Sequence, residues 1–144
     1  MSKIIGIVSG KGGVGKTTLC AGLSFAIAAR GQNVIAIDGD IGLKNLDILL
    51  GMVDNIAFDL TDILCDRCMI SKAVQVHDKY PNLHFISASQ NAEAADIDKT
   101  RFRKLCRYLR IHYDQLMDLA AEREYMFDHV YRQEKERFYN VKMH

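Results

Sequence analysis

Gly10, Gly15, Lys16 and Thr17 fall in the spacing G-x-x-x-x-G-K-[ST], and no other residues of the chain describe a chemistry so directly. Glycines let the backbone turn tightly enough for successive N–H groups to face one anion. A helix opening at Lys16 would add its N-terminal dipole to that attraction. The Lys16 ammonium would meet the β- and γ-phosphates of a nucleotide, and the Thr17 hydroxyl would ligate Mg²⁺. Gly10, Lys11, Gly12, Gly13, Val14, Gly15, Lys16, Thr17 and Thr18 together read as a cradle for ATP. Five glycines lie between positions 6 and 15, a composition costly to order unless a ligand uses it.

The same residues satisfy a second pattern. Gly10, Gly12 and Gly15 also spell G-x-G-x-x-G, and Asp38 follows where a dinucleotide-binding fold would place its acid. Lys16 and Thr17 separate the two readings. A dinucleotide loop has no need of a cation and a hydroxyl there, whereas a triphosphate with its metal needs both.

Such a loop works only between a buried strand and a helix. Residues 4–8, 34–37 and 83–86 are apolar, β-branched-rich runs without polar alternation, which predicts strands buried on both faces of a parallel sheet. Residues 16–30 carry many helix formers and stop at Gly31, the residue type expected just past a helix end. Further helices are expected over 59–75 and 98–112. In the second, Phe102, Leu105, Cys106 and Leu109 share one face, with Arg101, Arg103, Lys104, Arg107 and Arg110 on the other. From Tyr113 onward glycine is absent, and residues 114–140 read as one long helix rich in Glu and Arg. The expected fold is α/β, a mostly parallel sheet flanked by helices, with a C-terminal helical tail.

The chain has 144 residues, enough for one domain but short for a complete nucleotide-driven machine. Nineteen Lys and Arg against 18 Asp and Glu give no electrostatic case for nucleic acid as a partner. Cys20, Cys65, Cys68 and Cys106 are expected to be free thiols. Cys65 and Cys68 have C-x-x-C spacing, but no second pair or close His pair completes a metal set. Met1 leads straight into KIIGIVS without a signal-peptide pattern, and the longest mostly apolar run, 19–29, is too short to span a bilayer. A cytoplasmic protein is expected.

KGGVGKTT, with Lys11 as a second lysine beside the loop, resembles the deviant Walker A signature of the MinD/ParA family of P-loop ATPases. DGDIGLKNLDILLG, at 38–51, is similar to switch I of the MinD branch, which acts in placing the division septum; ParA-type partition proteins usually differ after the second aspartate. NIAFDLTDIL and CMISKAVQVHDKYPNLHFISASQ continue the resemblance, which covers about residues 1–114. It implies a SIMIBI-type P-loop NTPase fold, ATP and Mg²⁺ as ligands, ATP hydrolysis, and a homodimer with ATP held between subunits. On the matching positions, Lys11 would reach the phosphates held by the other subunit, while Lys16 and Thr17 would hold phosphate and Mg²⁺ in their own. Asp38 would support the magnesium shell, Asp40 would position the attacking water, and Asn45 would line the switch near the γ-phosphate; Lys44 and Asp47 are read as solvated residues. The resemblance also implies division-inhibitor and topological-specificity partners, and peripheral association with the inner face of the cell membrane.

The family continues after Tyr-Asp with a buried strand ending in an aspartate, followed by Ser/Pro-Ala-Gly. Here Gln115, Leu116, Met117, Asp118, Leu119 and Ala120 follow, so Asp118 arrives one residue early, without the proline and glycine and among residues that favour helix. The family's later strands, adenine-binding loop and membrane-targeting helix find no match. The tail from Arg110 has six Lys/Arg against seven Asp/Glu and lacks the basic face that draws a helix to anionic lipid. The expected division is therefore 1–112, the N-terminal part of the ATPase domain, and 113–144, a helical tail that packs on the sheet or on a second chain. The expected function is an ATP- and Mg²⁺-binding switch ATPase of septum placement, hydrolytic if something replaces the missing acid. The alternatives are a non-catalytic nucleotide-binding or dimerisation module and a partition-type ATPase.

Overall fold

Val34–Gly39 form a strand buried at all six residues, and its two faces belong to two different cores. Val34 and Ala36 pack into one, Ile35 and Ile37 into the other, as the period-two alternation of a strand requires. A strand covered on both sides has no use for polar alternation, which is why it reads as a continuous apolar run. The structure, a computed structural model, describes residues 3–9, 15–39, 46–53, 57–88, 98–120 and 138–143.

Among the described residues six strands form one sheet: β1 Lys3–Ser9, β2 Val34–Gly39, β3 Gln75–Val76, β4 Leu83–Ile86, β5 Gln115–Ala120 and β6 Phe138–Met143. Their order is β3-β4-β2-β5-β1-β6. β1 runs parallel to β5 and β6, and β2 runs parallel to β4 and β5; the two-residue β3 is antiparallel at one edge. The predicted strands over 4–8, 34–37 and 83–86 are therefore β1, β2 and β4.

Helices cover both faces. On one side α1, Lys16–Ala29, and α2, Leu46–Leu50, pack Cys20, Ala21, Leu46 and Leu50 against Val34, Ala36, Phe85 and Met117. On the other, α3 Leu60–Leu64, α4 Ile70–Ala73 and α5 Lys99–His112 bring Leu60, Phe102, Leu105 and Leu109 onto Ile35, Ile37 and Ile86. α1 ends as expected: Gly31 has φ 81° and its N–H donates to Ala28 O at 2.9 Å. The Asn82 amide then holds the exit of α1, donating to Ala28 O and Gln32 O at 2.8 Å each. α5 matches its predicted span, with Phe102, Leu105, Cys106 and Leu109 all buried.

Three expectations need correction. The helix expected over 59–75 is two short helices and a strand. α3 starts on a reciprocal Asp59–Asp62 capping box and stops after Leu64, where Asp66 takes a left-handed φ of 56°. α4 follows, and Gln75 and Val76 then pair with Phe85 and His84. Asp47, expected to be a solvated residue, is buried in α2, its carboxylate accepting from the Ile48 N–H at 2.8 Å; Lys44 lies outside the described residues.

The long helix expected over 114–140 does not form at either end. Gln115–Ala120 is the strand between β1 and β2, and Phe138–Met143 lies on the far side of β1. Helix propensity is a weak preference, worth tenths of a kcal/mol per residue, and hydrogen-bond ladders on both edges of β5 override it. Asp114 marks the entry to β5: its carboxylate accepts from the Asn33 N–H and its own N–H donates to Asn33 O, each at 2.8 Å.

Candidate nucleotide site

Parallel strands place all their C-terminal ends on one edge of the sheet, and in open α/β folds ligands bind outside that edge. Here Ser9 of β1, Gly39 of β2, the Ile86–Ser87 exit of β4 and Ala120 of β5 reach it together, and α1 starts beyond β1.

Gly15 opens α1 with φ 85° and ψ 15°, a left-handed conformation that only glycine adopts without strain. Its carbonyl accepts the Leu19 N–H at 2.9 Å, so the helix is regular from its first turn. No side chain caps this end and no acid lies in the first turn. The contrast with α3 and α5 is chemical, whereas the four-residue α4 also starts without a side-chain cap. Asp59 caps α3, and the Asp98 carboxylate caps α5 by accepting from the Thr100 and Arg101 N–H groups at 2.9 and 3.3 Å. A 14-residue helix that begins on a bare glycine leaves its positive end suited to an anion from outside the chain. Lys16 and Thr17, half-buried, and Thr18, exposed, make up that first turn.

Asp38 lies in β2, one residue before its end, and is 1 % exposed. It is thus a strand residue rather than a loop or capping aspartate. In register it faces Leu119 of β5, while Asp118 stands one step earlier, between Gly6 of β1 and Ile37 of β2. Among the described residues no cluster of three or more His, Cys, Asp or Glu could hold a metal unaided. One hydroxyl, one carboxylate and the oxygens of a bound phosphate are instead the donor set Mg²⁺ accepts, and Thr17 and Asp38 fit it.

Of the expected site residues the structure describes Gly15, Lys16, Thr17, Thr18 and Asp38. Gly10, Lys11, Gly12, Gly13, Val14, Asp40 and Asn45 lie outside the described residues. Sequence reasoning missed the place of Asp118 on a central strand. The usable signal was the Tyr113-Asp114 pair that precedes it, since Asp114 anchors to Asn33 at the start of β2.

A parallel sheet, a glycine-opened helix without a cap and a Lys-Thr pair in its first turn define the P-loop class of α/β nucleotide-binding domains. The CobQ/CobB/MinD/ParA nucleotide binding domain model matches residues 5–135, and the chain belongs to this family. The septum site-determining protein MinD of Helicobacter pylori is 40 % identical over 131 residues, which cover 90 % of this chain and 49 % of that protein. MinD from Pyrococcus horikoshii, solved in complex with Mg-ADP, superposes with a TM-score of 0.73 at 34 % identity, covering 82 % of this chain and 48 % of the other. The MinC:MinD cell division complex of Aquifex aeolicus gives 0.77 at 25 % identity, over 98 % and 68 %. The chain spans about half the length of the curated relatives it matches.

Proposed function

We propose that this chain is a MinD-like switch that binds Mg·ATP and hydrolyses it as a homodimer in the service of septum placement. The observation that carries the reading is Gly15 opening an uncapped α1 with Lys16 and Thr17 in its first turn. Similarity to MinD proteins, one of them solved with Mg-ADP, favours ATP switching over a dinucleotide. The same likeness and the near-neutral charge favour septum placement over DNA partition.

In this reading the backbone N–H groups from Gly10 to Lys16 and the Lys16 ammonium bind the phosphates, with Thr18 beside them. Thr17 and Asp38 hold Mg²⁺, which supplies Lewis acidity at the phosphate oxygens. Lys11 reaches the nucleotide held by the second subunit. Asp40 orients water and Asn45 senses the γ-phosphate, tasks that suit a carboxylate and an amide just past the end of β2. The Aquifex complex supports a MinC-like partner, and the division-inhibitor and topological-specificity partners that the sequence resemblance implies are part of the same proposal. Among the described residues no helix is long and apolar enough to cross a membrane.

A second reading has its own observation. Leu119 stands in register with Asp38, where an acid at the strand end would complete the metal shell, and Asp118 is offset by one residue. This favours a module that binds nucleotide and dimerises without turnover. Phosphate release from ATP, measured beside light scattering with and without nucleotide, separates the two. The switch predicts steady release that drops on the order of a hundredfold in Asp40→Ala, together with an ATP-dependent doubling of mass. Doubling without release selects the module; neither effect removes both.

A further inference from the structure

The face of α5 turned away from the sheet combines charge with a cleft. The helix carries Lys99, Arg101, Arg103, Lys104, Arg107 and Arg110 and no acidic residue, although the whole chain is balanced to a net charge of +1. Beside it, between α5 and the α3–α4 turn, opens a cleft of about 900 Å³. Its floor is apolar, formed by the buried side chains of Ile63, Leu64 and Leu105, and its rim carries Met69, Tyr108 and Lys104. Met69 is 72 % exposed and Tyr108 46 % exposed, an unusual outlay of large apolar surface on a rim. One turn beyond Tyr108, Ile111 is 80 % exposed.

The cleft wall is built. The Arg101 guanidinium donates to Leu64 O at the end of α3 at 2.6 Å and pairs with Asp66 at 3.0 Å, joining the left-handed turn at Asp66 to α5. That pairing occupies Arg101 and leaves Lys104 as the cleft's exposed cation without an ion pair among the described residues. Lys104, Tyr108 and Ile111 follow at three- and four-residue spacing, so they form one stripe along the helix.

We propose that this cleft and stripe dock an acidic amphipathic helix of a partner protein. One apolar side chain would enter between Ile63 and Leu105, a second would cover Tyr108 and Ile111, and a carboxylate would meet Lys104. The Lys104 ammonium on the rim sets the sign of the partner, and the concave floor selects a side chain over the flat surface of a bilayer. The site lies on the face opposite α1.

The test uses the full chain and a panel of fluorescein-labelled peptides of about 15 residues, with Leu or Phe at i, i+3, i+4 and i+7 and Glu elsewhere. Scrambled peptides of the same composition serve as controls. Anisotropy should show saturable binding that weakens at least about tenfold on scrambling, in Lys104→Glu and in Met69→Asp, and that falls with added salt. Both substitutions are at exposed sites, and an unchanged thermal melt confirms the fold. Equal affinity for scrambled peptides, no saturable binding by any peptide, or full affinity in Lys104→Glu would overturn the proposal. So would phosphatidylserine vesicles that bind in a Lys104-dependent manner when the peptides do not.

Discussion

Gly15 and Gly31 have nearly the same positive φ, 85° and 81°, at opposite ends of α1, and they separate stability from binding. A Cβ at Gly31 meets nothing within 4 Å, so Gly31→Ala should cost only the left-handed strain, about 1 kcal/mol in a urea melt, and leave nucleotide affinity intact. Gly15→Ala should lose a similar amount and also lose ATP binding, because the proposed phosphate cradle includes the turn into α1. Cys65 and Cys68 share a turn but differ chemically. Burial, and then the carboxylates of Asp62 and Asp59, push the Cys68 thiol up, the reverse of an activated cysteine. Alkylation by iodoacetamide at neutral pH should therefore modify exposed Cys65 first, as peptide mapping would show. Tyr113 gives a pH signature. Its hydroxyl donates to His84 Nδ1 at 2.6 Å, an assignment fixed by His84 Nε2–H donating to Pro81 O at 3.0 Å. Burial first, and Tyr108 second, push the phenol up to about 12. The native state thus favours the neutral phenol, a contribution fully present below pH 10 and lost as pH rises through about 12. Denaturant melts should show this loss, and Tyr113→Phe should flatten it.

At the scale of elements, caps and patterns explain what the sequence made readable. α5 announces itself through its apolar face and through Asp98, whose carboxylate accepts two N–H groups of its first turn. Asp98→Ala should destabilise the protein by about 1 kcal/mol in chemical denaturation without touching nucleotide binding. β2 was legible because burial on both faces leaves the unbroken apolar run Val34 to Ile37, and β4 because Leu83, Phe85 and Ile86 stay buried around the half-buried His84. β5 was not. Gln115, Leu116, Met117, Leu119 and Ala120 are helix formers by local preference, and their strand state comes from β1 and β2 on either side, contacts with partners far away in the chain. β6 contains Phe138, Tyr139 and Val141, which fit a strand, but the Glu- and Arg-rich run before it masked the change of period. The break after α3 depends on Asp66 adopting a left-handed turn, which aspartate permits without demanding. The site divides the same way: the residue types of the loop and the start of α1 could be read directly, while the place of Asp118 beside Gly6 and Ile37 waited on the sheet order.

For the whole molecule, the sheet order makes Gln115–Ala120 a central strand. β5 is the only strand of the described sheet that joins β1 to β2, and Met117 is fully buried between them. A chain ended at residue 114 should therefore lose its cooperative thermal transition, where a dispensable appendage would leave it unchanged. The two faces of this sheet carry separate tasks, the glycine-opened helix on one and the basic α5 cleft on the other. Nucleotide binding is the task proposed for the first. Isothermal titration of the full chain with a non-hydrolysable ATP analogue tests it most directly, run with Mg²⁺, with EDTA, and with Lys16→Ala. We expect saturable binding in Mg²⁺ that weakens on the order of a hundredfold in Lys16→Ala, in line with losing a charge-assisted phosphate contact, and that weakens clearly in EDTA. No binding by the unaltered chain, or the same affinity in Lys16→Ala, would rule out nucleotide binding at this loop.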